Sequence, residues 1–271
     1  ALGPVAQLEI QKIMQQDHVL GRLSTRLELK DHDLTIDPLT LEGARDELWA
    51  ALHCSFAGPC RLRFALDTRD AATTLRDFGL RADLQAERGS LTGELEWPLS
   101  AAQSSPRQWL TSVRGRVRLA LADGAAQAAG SRPGSPFAIV AVPELLRDPP
   151  ASLRIGESDA EGRELKFARV GGEFDIRDGS AYTSDLHFDG DAEILMSGRT
   201  GLVDQDYDYQ ALILRGEDRL PAAVRRFAAV PKVAAAWMAL RELVAGSEPD
   251  PSRLQLRLQG SWQAPTITAA R

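Results

Sequence analysis

Strict two-residue alternation constrains this chain more than any other feature. In RLQLRLQGSWQAP, residues 253–265, Leu254, Leu256 and Leu258 alternate with Gln255, Arg257 and Gln259. A strand turns successive side chains to opposite faces, so such a run folds with one apolar and one wet face. The pattern recurs along most of the 271 residues. Leu23, Thr25, Leu27 and Leu29 share one parity, and Ser24, Arg26, Glu28 and Lys30 the other. What the apolar sides cover is the question the sequence poses.

Turn chemistry separates the runs. KDHD, residues 30–33, turns the chain before Leu34 and Ile36. From Glu164 to Leu214, Asp178-Gly179, Asp189-Gly190 and Gly198 to Gly201 read as hairpin signals. Between them Tyr182, Leu186 and Phe188 share parity, as do Phe174 with Ile176 and Ile194 with Met196. An antiparallel meander is expected.

Some segments break the alternation. DTRDAATTLRDFGLRADL, residues 67–84, predicts a helix of about two turns, with Asp70 as N-cap and Gly79 just past its end. Residues 123–137 are rich in small residues, Gly and Pro and read as a loop, and FAIVAVPELLRDPP after them as a short helix cut by Pro143. Over 219–245, Val233, Trp237, Leu240 and Val244 recur at helical spacing, and Pro231 divides that segment.

Composition excludes several function classes. With 44% hydrophobic and 26% charged residues the chain is expected to fold around a core. A net charge of −6 argues against nucleic acid as a partner, because phosphate binding needs a basic surface. No run approaches the roughly 18 apolar residues of a membrane span. The chain opens ALGPVAQLEI, without a Met or a signal-like segment, and is expected to be a fragment of something longer.

Chemistry-bearing motifs are scarce. There is no G-x-S-x-G, H-E-x-x-H, Walker A loop or G-x-G-x-x-G. His18, His32, His53 and His187 each stand alone, so no catalytic residue and no cofactor is assigned. Asp204, Asp206 and Asp208 have the spacing that begins a calcium loop. Tyr209 stands where the Gly belongs and Arg215 where the closing Glu belongs, and alternation instead places the aspartates on a wet face. Cys54 and Cys60 flank a Gly-Pro turn: they either bridge a hairpin in an oxidising compartment or remain two reduced thiols. A metal site with His53 as third ligand lacks a fourth, and none is assigned. The segment 219–245 carries Arg219, Arg225, Arg226, Lys232 and Arg241 against Glu242 alone. It reads first as a plug at one end of the sheet, and alternatively as a basic amphipathic helix on an anionic bilayer surface, with Arg225, Arg226, Lys232, Trp237 and Arg241 in contact.

An ordered set of segments carries a resemblance. DTRDAATTLRDFGLRADLQAERGSLTGELEWP, VRGRVRLALADGAA, VGGEFDIRDGSAYTSDLHFDGDAEILMSGRTGLVDQDYDY and LQGSWQAPTI follow one another as in the AsmA-like superfamily, and are most similar to its YhdP-type members. The segments PFAIVAVPELLRDPPASLRIGESDAEG and LILRGEDRLP depart from that pattern. The resemblance implies a C-terminal region of a membrane-anchored protein that crosses the periplasm and carries phospholipids between inner and outer membranes.

The expected fold is therefore mainly β: one β-rich domain over 1–271, a strongly twisted and curved antiparallel sheet forming an open groove, with helices at one end or in the concavity. The expected function is non-enzymatic lipid transfer, with phospholipid acyl chains as the partner. Candidate lining residues are Phe174, Ile176, Leu186, Phe188, Ile194, Met196, Leu254, Leu256 and Leu258. The alternatives are an envelope scaffold that docks a periplasmic or outer-membrane partner without carrying lipid, and an envelope enzyme of unknown type.

Overall fold

The computed structural model describes residues 4–15, 18–77, 84–100, 105–127, 164–190, 193–214 and 253–269. The predicted helices at 219–245 and around Pro143 lie outside them, as do Phe78 and Gly79.

Among the described residues thirteen strands form one open antiparallel sheet, each hydrogen-bonded to its neighbours in chain order. They are β1 (Val5–Gln15), β2 (His18–Lys30), β3 (Asp33–Glu42), β4 (Asp46–Ser55), β5 (Pro59–Thr68), β6 (Leu84–Pro98) and β7 (Arg114–Gln127), then β8 (Glu164–Arg177), β9 (Ser180–Gly190), β10 (Glu193–Gly201), β11 (Asp206–Leu214), β12 (Arg253–Ser261) and β13 (Ala264–Ala269). Short helices α1 (Ala71–Asp77) and α2 (Pro106–Ser112) follow β5 and β6.

Charges on the wet face help to hold the register. Arg61 donates to Glu96 at 2.7 Å, Arg118 to Glu173 at 2.9 Å, and Arg199 to Asp206 through two bonds of 2.8 Å. A slip of one residue would separate each pair and turn the apolar set into water. In α1, Asp70 Oδ1 accepts the Thr73 N–H at 3.1 Å, the predicted N-cap. The sequence reading passed over α2, although Ser105-Pro106-Arg107-Gln108 is a capping box with Pro in the first turn. Its Trp109 packs edge-on against Trp97, ring centroids 5.9 Å apart.

Three local readings differ. Gly198 does not end a strand. It sits inside β10 at φ 146°, where an added Cβ would lie 2.1 Å from the Asp208 carbonyl oxygen, so only glycine fits; the turn comes after Gly201. Asp123-Gly124 likewise lies within β7, which runs on to Gln127. Tyr182 does not share a face with Leu186 and Phe188. Thr183 pairs with Gly198 but Leu186 pairs with Met196, a bulge that adds one residue and reverses parity. Asp185 fills the bulge, accepting the Glu173 N–H at 3.1 Å, and Tyr182 lies on the wet side beneath the Arg177 guanidinium.

Candidate functional site

Cross-strand partners share a face, so the register traces each face over the whole sheet. Ile10, Leu23, Leu41, Leu48, Leu66, Leu91 and Leu119 face one another in a single line from β1 to β7, and the line ends at Gly172 of β8. A parallel line runs through Leu27, Ile36, Leu52, Leu62 and Leu95 to Gly115. These lines run across the strands, along the sheet. At about 4.8 Å per inter-strand step, the six steps from Ile10 to Leu119 reach about 29 Å and the five from Leu27 to Gly115 about 24 Å.

No charged side chain occupies either line. Arg and Glu or Asp occupy the alternate positions on the opposite face, as at Arg63, Glu94, Arg116 and Asp175. The apolar face over β1–β7 is nevertheless incompletely covered. Most of its leucines are half-buried, and at the β1–β2 edge Leu8, Met14, Val19 and Leu29 keep 46%, 51%, 54% and 40% of their surface. Scattered exposed leucines are ordinary; a contiguous set on one face is not.

The same face is closed over β8–β12. Phe174, Ile176, Leu186, Phe188, Ile194, Met196, Leu256 and Leu258 all lie on it, all are buried, and they belong to one packed cluster. Leu254 holds the register position opposite Ile213 on the same face. Phe167 and Phe188 meet edge-on with centroids 5.5 Å apart. Tyr209 is fully buried and shares a 2.8 Å hydrogen bond with Thr200. Desolvation is the main cause that pushes its phenol up to about 12, and it raises Tyr207 further still.

Cys54 and Cys60 face each other across β4 and β5 on the apolar face, Cα atoms 3.9 Å apart, and are joined as a disulfide. His53, one residue away, lies on the wet face with its Nδ1 3.2 Å from Thr35 Oγ1. Adjacent strand residues point to opposite sides, so His53 and the cysteines do not converge.

The wet face holds the remaining polar chemistry. A recess of about 780 Å³ is lined by Arg88, Arg118 and Arg169 together with Glu173, Asp185 and His187. Three of its arginines are paired: Arg88 with Asp123, Arg118 with Glu173 and Arg169 with Asp189. His187 Nε2 lies 2.9 Å from Glu193 Oε1, and that carboxylate is fully buried. Asp204, Asp206 and Asp208 bind Arg107, Arg199 and Arg257, a set of ion pairs rather than a calcium loop. Among the described residues no group of three or more His, Cys, Asp or Glu could hold a metal, and no helix is long and apolar enough to cross a membrane. Arg225, Arg226, Lys232, Trp237 and Arg241 lie outside the described residues.

Compared with known proteins, residues 3–267 match the family described as YhdP protein. No curated protein and no solved structure matches the chain.

Proposed function

Because the chain belongs to the YhdP family, within the AsmA-like group, we propose that it is a non-enzymatic lipid-binding module at the C-terminal end of a periplasmic bridge that moves phospholipids between inner and outer membranes. One observation carries the reading: lines of leucines free of charge run across seven strands, and Leu8, Met14, Val19 and Leu29 on that face remain exposed. A tail of about sixteen carbons bare in water costs on the order of 12 kcal/mol at about 0.8 kcal/mol per methylene. A sheet that curves around such a face offers a continuous apolar path and needs no nucleotide site and no reacting group. The Cys54–Cys60 disulfide suits an oxidising compartment such as the periplasm. Membrane anchoring of the full-length protein, and contact of the 219–245 segment with a membrane surface, belong to the same proposal.

Native mass spectrometry of the protein purified without detergent tests it. The expected result is a series of adducts at phospholipid masses, lowered at least tenfold by Leu27→Glu on the apolar face and unchanged by Arg63→Glu on the wet face. A wild-type protein that leaves cells free of lipid would end the proposal. Lipid-free protein that captures an envelope partner would instead select the scaffold reading.

A further inference from the structure

We infer that the wet face carries a docking site for an extended segment of a partner protein, which lies across β3–β8 in the recess and sets a Lys or Arg side chain among Glu42, Glu47, Asp67 and Trp49. The inference uses the face opposite the leucine lines, so it stands whether or not the protein carries lipid.

The register draws the recess as a track. Glu42, Glu47, Asp67, Ser90, Ala120 and Gly171 face one another in a single line from β3 to β8, and all six line the recess. Five inter-strand steps at about 4.8 Å make the track about 24 Å long, the span of about seven extended residues at about 3.3 Å each. Beyond Asp67 its floor is Ser90, Ala120 and Gly171, side chains short enough for a backbone to lie over them.

Two features at the β3–β5 end call for a cation. The first is a row of like charges. Glu42, Glu47 and Asp67 are exposed and stand directly opposite one another on neighbouring strands, which destabilises a sheet. Elsewhere on this face the cross-strand charges alternate in sign, as at Arg63, Glu94, Arg116 and Asp175. Arg22, which faces Glu42, bonds to Glu9 instead, and Arg45 at the rim bonds to Asp70. Among the described residues no cation, Arg69 at the rim included, lies within ion-pair distance of the three carboxylates. The second feature is Trp49, on the same face between Thr40 and Ala65 and diagonal to Asp67, with 37% of its surface exposed. Arg177 covers the Tyr182 ring, but no described cation covers Trp49. An open indole beside carboxylates takes both parts of a Lys or Arg side chain, its stem and its charge. At the far end Arg88, Arg118 and Arg169 oppose a second cation, so the segment is basic at one end and not throughout. The carboxylate row repels an anionic membrane or nucleic acid.

Heptapeptides displayed on phage and selected against the folded, disulfide-bonded protein test this. Lys or Arg is expected to be enriched at least fivefold near one end of the bound peptides. A selected peptide carrying fluorescein, read by anisotropy, should bind at least tenfold more weakly to Glu47→Gln/Asp67→Asn and to Trp49→Ala, and equally well to Arg116→Gln elsewhere on the wet face. Glu47→Gln/Asp67→Asn should meanwhile unfold at an equal or higher urea concentration, because a repulsion has been removed. Selection of acidic or apolar peptides, or of none, would overturn the inference. So would basic peptides that bind the carboxylate variant as well as the wild type, or a variant that loses binding only because it unfolds at lower urea.

Discussion

Strands β4–β7 and strands β8–β12 are written in the same code and end in different states. Leu52 and Leu62 sit on the same face as Ile194 and Ile213, with the same alternation around them. The first pair keeps part of its surface in water while packing against the cluster that shuts the second pair from solvent. Alternation fixes the side to which a residue points; a different property, the amount of chain laid over that side, fixes whether the residue stabilises the fold or remains available to a ligand.

The largest expected effect measures that difference directly. Ile213→Ala should lower unfolding free energy by about 3–4 kcal/mol, since it opens a cavity in close packing. Leu52→Ala should cost less, about 2 kcal/mol, because Leu52 packs at the margin of that cluster with part of its surface in water. Urea melts of the two variants read it, and equal losses would erase the distinction between the two halves.

Next in size is the disulfide. The open half has less burial to hold it, and a covalent clip crosses its β4–β5 hairpin. Closing so short a loop is worth about 2 kcal/mol in the chain-entropy account. The double variant Cys54→Ser/Cys60→Ser should lose about that much in a urea melt, with the apolar face retained. A loss above about 5 kcal/mol would mean that the open half depends on the clip for its fold.

In the closed half the matching device is a buried hydroxyl pair. Tyr209→Phe removes its bond to Thr200 and should cost about 1 kcal/mol. The unfolded phenol titrates near 10 and the folded one near 12. The folded state therefore keeps its proton while the unfolded state loses it. The stability from keeping Tyr209 neutral is complete below about pH 10 and is lost as pH rises through about 12. Urea midpoints measured from pH 9 to 12 should fall in the wild type and fall less in Tyr209→Phe. Parallel slopes would show that Tyr209 is not the group responsible.

How much of this was legible follows from the same distinction. The residues sharing the apolar face of β2, β4 and β5 are written in the two-residue period, the turn residues between them point to antiparallel neighbours in chain order, and Asp70 announces α1. Faces were misread where a bulge intervenes. Counting by twos carries Tyr182 to the side of Leu186, and the extra residue at the Asp185 bulge moves it to the other side. Glycine misled differently: Gly198 and Gly124 look like turn residues, yet they are strand positions where a neighbouring backbone passes too close for a Cβ. The candidate lining residues were drawn from the clearest meander, β8–β12, where all those with a described side chain are buried. Nothing in a parity count records what lies above a face, so the half-open leucines of β2–β7 carried no mark that set them apart.

The smallest expected effect concerns the wet face, where the two halves ought to differ least. Arg61–Glu96 in the open half is a pair of side chains at 66% and 51% exposure; Arg199–Asp206 in the closed half stands at 30% and 31%. Water screens the first pair more, so a double-mutant cycle through Arg61→Gln and Glu96→Gln should give a coupling near 0.3 kcal/mol. The second pair is bidentate and better shielded, and the corresponding cycle should give about 1 kcal/mol. Raising salt should shrink the first coupling more than the second. If both cycles return the same small value, the contrast between the halves is confined to the apolar face, and the shielding around Arg199 contributes nothing to the closure of β8–β12.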